Sequence, residues 1–164
     1  METKNKIDAL KTFKDLAENI DFTLMSTNLS QFPFHTVPMS TKKVDENGNI
    51  WFLSGRNSMH NVHIKQSPEV HLSYAKPGDM EFLAVCGHAE IMNSPSIIEE
   101  LYGKSDDMWF DGKNDPNVSV IKVKPHEVSY WDTKDNKLVS LLKAGYAFIV
   151  GSEPDTIEKG TIDF

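Results

Sequence analysis

The stretch Lys43-Val44-Asp45-Glu46-Asn47-Gly48-Asn49-Ile50-Trp51-Phe52-Leu53-Ser54 decides how the chain is read. Its Asn47-Gly48 pair tolerates the positive φ that a tight hairpin demands, and apolar runs flank it on both sides. Two antiparallel strands, Phe34 to Val44 and Ile50 to Ser54, are expected about this turn. Outward from the hairpin the same texture persists from about Asp21 to about Asp132, with short apolar runs between turn residues. The further runs are Phe22 to Ser26, Glu69 to Ala75, Glu81 to Met92, Val118 to Val123 and Glu127 to Trp131. In one of them Val70, Leu72 and Tyr74 alternate with His71 and Ser73, the period of a strand with one buried face.

Helices frame these strands. Ile7, Leu10, Phe13, Leu16 and Ile20 recur at spacings of three and four, which predicts an amphipathic opening helix. Ser58 caps a helix running to about Gln66, and Ser94-Pro95 opens another that ends near Gly103. Lys137 to Val150 also reads as helical, and residues 151–164 read as a polar, acidic, loosely held tail. Helical crossovers do not alternate with the strands, so six or seven strands fit an antiparallel barrel better than a βαβ sheet. The expected fold is mainly β with peripheral helices, in a single domain over residues 1–150.

Composition narrows the partners. A chain of 164 residues, 39% hydrophobic, suffices for one core. With 17 basic against 24 acidic residues its net charge is −7, which repels a nucleic-acid backbone. Cys86 is the only cysteine, so no internal disulfide forms, and no Cys/His spacing suits structural zinc. The opening residues Met1 to Lys6 are polar and lead into no apolar run, so neither a leader nor a membrane span is expected and the cytoplasm is the default.

Chemistry concentrates where the third run ends, in Leu53-Ser54-Gly55-Arg56-Asn57-Ser58-Met59-His60. Amides at a helix N-terminus form an anion site, and Ser54, Arg56, Ser58 and His60 add donors suited to a phosphate. An ordinary Ser-capped helix is the plainer reading of the same residues, since capping is far commoner than ligation. His60 and His63 share a spacing that metals use, but no third ligand stands near them in sequence, so no metal is expected. Trp109-Phe110, in a polar loop, suggests an interface or a ligand lid as readily as simple packing.

Several pieces, taken in order, carry a resemblance: His35-Thr36-Val37-Pro38-Met39-Ser40, Trp51-Phe52-Leu53 with Ser58, and Pro68 to Ala75. Gly87-His88-Ala89-Glu90, Trp109-Phe110-Asp111-Gly112 and Tyr130-Trp131-Asp132 follow. From about Ile7 to Trp131 the chain resembles the general stress protein branch of the pyridoxamine 5'-phosphate oxidase-like, FMN-binding split barrels. The resemblance implies a six- to seven-stranded split β-barrel and a homodimer with FMN at the subunit interface. It implies that Thr36, Val37, Pro38 and Met39 run beside the isoalloxazine ring, that Leu53 and Ser54 contact its edge, and that Ser58 with His60 holds the phosphate. Trp109 would come from the partner subunit. Val37 stands where the family usually has arginine and His60 where it usually has lysine, and both changes remove fixed positive charge; Arg56 can compensate. An FMN-dependent oxidoreductase leads the implied functions, a non-catalytic flavin-storing or flavin-sensing protein follows, and a haem-binding relative comes last.

Overall fold

The computed structural model describes residues 2–133 and 157–163. Helix α1 (Glu2–Ile20) is followed by β1 (Phe22–Thr27), β2 (His35–Ser40), β3 (Lys43–Val44) and β4 (Ile50–Gly55). Then come α2 (Met59–Gln66), β5 (Glu69–Lys76), β6 (Glu81–Met92), α3 (Pro95–Leu101), a 3-10 turn (Lys104–Met108), β7 (Val118–Thr133) and β8 (Ile157–Asp163). The strands form one antiparallel sheet in the order β2-β1-β5-β6-β7-β4-β3, with β8 added on β7. It curls as a half-barrel of the split-barrel class.

The curl follows from the connection between β2 and β3. These strands lie at opposite ends of the sheet order yet are joined by Thr41 and Lys42 alone. Thr41 N donates to Asp21 O (3.0 Å) and Lys42 N to Trp51 O (2.8 Å), so two consecutive residues tie the two ends together. The single strand expected over Phe34 to Val44 is therefore two, broken where the chain changes edges. The Asp45 to Asn49 hairpin forms as expected, with Gly48 at φ 81°. The Asp45 carboxylate accepts from Asn47 N, Asn49 N, Asn49 Nδ2 and Trp51 Nε1, at 2.9–3.0 Å. Burial pulls this carboxyl upward, but those hydrogen bonds outweigh it and hold it below its ordinary value.

Two cores result. Phe13, Leu16 and Ala17 of α1 cover the concave side with Ile50, Phe52, Val70, Leu72 and Tyr74. Ile7, read into the same stripe, stays exposed. On the other side of β4, Trp51 and Leu53 pack with Ile98 and Leu101 of α3 and Val118 and Val120 of β7. Both faces of β4 are covered, which is why Ile50 to Leu53 is apolar without alternation.

Two other expectations change. Val118 to Val123 and Glu127 to Trp131 are one strand, continuous through Lys124-Pro125-His126 with a register shift opposite Cys86 and Gly87. Pro125 is tolerated because along one edge of β7 the pairing with β4 stops at Val123 (opposite Ile50) and the pairing with β8 starts at Glu127 (opposite Asp163). Within the supposed loose tail, Ile157–Asp163 forms β8, with Ile162 in the main core, because the second half of β7 offers it an open ladder. The helix expected over Lys137 to Val150 lies outside the described residues. Among the described residues no helix is long and apolar enough to cross a membrane.

Candidate functional site

A cleft of about 410 Å³ opens where β1, β2 and β4 meet the 3-10 turn. Phe22, Pro38, Met39, Leu53, Met108 and Trp109 supply its apolar walls, and Asp21, Ser40, Lys42, Ser105 and Asp106 its polar end. Lys42 Nζ donates to Asp106 Oδ2 (2.7 Å) with both side chains largely buried, and the same oxygen accepts from Gly103 N (2.7 Å). This pair fixes the turn that carries Met108 and Trp109 against the Thr41-Lys42 crossover. Trp109, 76% exposed, stands at the mouth of its own chain's cleft, where the resemblance implies a contribution across an interface.

A second group of polar residues lies at the end of β4, where α2 begins. Ser58 is the N-cap of α2; its Oγ accepts from Asn61 N (3.4 Å) and shares a hydrogen bond with His60 Nε2 (3.0 Å). Val62 N donates to Ser58 O (3.1 Å), so the amides of Met59 and His60 are the first-turn donors left without an acceptor in the helix, and the exposed Arg56 has no ion pair among the described residues. His60 is stacked on His35, with ring centroids 6.5 Å apart, and His35 meets His63 edge-on at 5.3 Å. Thr27 Oγ1 shares a hydrogen bond with His63 Nδ1 (3.0 Å). Burial and, after it, the neighbouring His35 and His63 lower the His60 imidazole to about 4, so it is neutral at pH 7.

The expected site residues thus fall into two neighbourhoods. Pro38, Met39, Leu53 and Trp109 line the cleft, and Arg56, Ser58 and His60 gather at the start of α2. Thr36 lies on the outward face of β2 with its hydroxyl 2.9 Å from Ser26 Oγ. Val37, one residue on, turns inward by strand alternation and packs on the main core, not on the cleft. Ser54 also departs from expectation: its hydroxyl is buried, donating to Asn61 Oδ1 (2.8 Å) and meeting Ser119 Oγ (2.9 Å), while Asn61 Nδ2 donates to Ser119 (2.8 Å). That network fastens α2 to the sheet. Asp21, Phe22, Lys42, Asp106 and Met108 enter the cleft without a sequence signal, because four separate segments converge there. Among the described residues no three His, Cys, Asp or Glu side chains converge as metal ligands. Cys86 is half-buried, and burial, with Glu127 and Glu69 nearby, pushes its thiol up.

Known proteins share this fold. Over 81 residues the chain is 31% identical to General stress protein 26 of Bacillus subtilis (strain 168), a match over 48% of this chain and 58% of that protein. A candidate general stress protein 26 of Jannaschia sp. CCS1 superposes with a TM-score of 0.76 at 22% identity, covering 96% of this chain and 99% of the other. The general stress FMN/FAD binding protein of Xanthomonas citri does so with a TM-score of 0.65 at 18% identity, covering 77% and 89%. Both likenesses are of fold. Residues 8–155 match the family described as pyridoxamine 5'-phosphate oxidase like, and the chain belongs to that family.

Proposed function

We propose that this chain binds FMN, with the ring in the cleft between β2, β4 and the Trp109 turn and the phosphate at the start of α2. The observation that carries the reading is the cleft itself. Its walls of Pro38, Met39, Leu53 and Trp109 suit a flat aromatic system, and β4 leads from Leu53 straight to Arg56 and Ser58. Membership of the family and the fold shared with an FMN/FAD binding protein of Xanthomonas citri support it.

Bound flavin supplies electron or hydride chemistry; the chain's own residues hold and orient it. Arg56, Ser58 and the Met59 and His60 amides at the start of α2 hold the anionic end, aided by the helix dipole. His60, being neutral, donates one hydrogen bond at most. The outward apolar residues Phe22 and Leu24, with Pro38 beside Leu24 in register, continue from the cleft onto a face that a second copy of this chain covers. The protein thus works as a cytoplasmic homodimer and FMN-dependent oxidoreductase. The test is to release the ligand of freshly purified protein by denaturation, identify it by mass spectrometry, and follow reduction of the bound flavin by NADH or NADPH. FMN that is reduced and then reoxidised by an acceptor is the expected result. Flavin that binds but never turns over favours storage or sensing, and absence of flavin affinity contradicts the reading.

A further inference from the structure

Asp21 is a cleft residue that the flavin reading does not use. It follows α1 in the left-handed region, at φ 66°, with its amide donating to Ala17 O (3.2 Å). Glycine or asparagine is the ordinary choice just past a helix, and the helix's negative C-terminal pole disfavours a carboxylate there. Aspartate tolerates that backbone but sets its charge against the dipole. A local rule broken without a gain for the fold points to a residue kept for its chemistry. Its one side-chain hydrogen bond among the described residues, from Ser40 Oγ to Oδ1 (2.7 Å), is one that asparagine accepts equally well. Oδ2 has no such partner, and Asp21 has no ion pair among the described residues.

The surroundings leave this charge uncompensated. Lys42, the cation lining the cleft, is committed to Asp106 at 2.7 Å, and Asp106 is committed further to Gly103 N. The cleft therefore carries one net negative charge. Around it stand two exposed aromatic side chains, Phe22 and Trp109, and the thioethers of Met39 and Met108. Aromatic faces attract cations through the ring quadrupole, thioethers pack softly on flat rings, and a carboxylate adds direct ion pairing. A carboxylate or phosphate guest at this end meets repulsion and no free cation.

We propose that Asp21 and Trp109 make this cleft a site for a flat organic cation, an N-alkylpyridinium or protonated ring amine, and exclude anionic guests from its Asp21 end. This names the substrate class of the flavin site, and it rests on the flavin reading only in taking the cleft as the ligand site. Three probes of nearly one shape test it at pH 7: 1-methylnicotinamide (cationic), nicotinamide (neutral) and nicotinate (anionic). Each is titrated by ligand-observed NMR against the purified protein, with and without added FMN. The cation is expected to bind about fivefold tighter than the neutral probe, as a partly exposed ion pair allows, and nicotinate weakest. Asp21→Asn, which keeps the Ser40 hydrogen bond, abolishes the cation's advantage and melts no lower than the parent; Asp21→Glu restores the advantage in part. A parent that binds nicotinate as well as the cation, or an Asp21→Asn protein that still prefers the cation, overturns the proposal. Loss of FMN binding with the cation preference intact supports it and removes the flavin reading alone; FMN binding without that preference removes this proposal alone.

Discussion

Ser58 carries two burdens, and a single substitution separates them. It caps α2 and meets His60, so Ser58→Ala is expected to lower stability by about 1 kcal/mol in urea unfolding, the usual cost of a lost cap. In the proposed site it also donates to phosphate, so the same change weakens FMN binding by about 1.5–3 kcal/mol in a flavin-fluorescence titration. Lost stability with unchanged affinity leaves Ser58 a cap only. His60 was legible in the sequence as a donor beside that cap; its neutrality was not, because His35 comes from strand β2 and burial is a tertiary property. Its value of about 4 lies below the ordinary 6.5, so between these pH values the unfolded chain holds a proton that the folded chain does not. Stability is therefore expected to be fully present above about pH 6.5 and to fall toward pH 4, by about 2 kcal/mol once partial exposure is discounted. His60→Gln flattens the profile of urea midpoints against pH. The flattening is partial, because burial also lowers the half-buried His71 imidazole.

At the scale of elements the hairpin was the most legible feature, since Asn47-Gly48 and the Asp45 carboxylate act within five residues of one another. What the sequence hid was continuity and interruption. Phe34 to Val44 reads as one extended run yet breaks at Thr41-Lys42, where the backbone hydrogen bonds pass from one end of the sheet to the other. Pro125 reads as a strand break yet does not end β7, because it falls in the gap between β4 and β8. Gly87, opposite Pro125 at the register shift, allows the close approach of the strands there. A Cβ at this position would lie 2.7 Å from Val123 Cγ1 and 2.8 Å from Lys124 O. Gly87→Ala is expected to cost about 1–3 kcal/mol in chemical denaturation, since backbone cannot yield as a flexible side chain does. An unchanged unfolding midpoint would show that β6 and β7 are less tightly apposed there.

Across the whole molecule the site is an assembly product. The cleft takes residues from the end of α1, from β1 and β2, from the crossover, from β4 and from the 3-10 turn, and it exists only when the sheet curls. Pro38, Met39, Leu53 and Trp109, which the resemblance implies as cofactor contacts, line the cleft, whereas Asp21, Lys42 and Asp106 lie outside the motifs that carry the resemblance. Phe22 lines this cleft and the exposed Leu24 follows it on the outward face, so the proposed pairing with a second copy would be tied to ligand binding. Native mass spectrometry of the purified protein after addition of FMN tests both at once. A dominant species with the mass of two chains and two FMN molecules is expected; a single chain without flavin at excess FMN would overturn the proposed dimeric flavin site.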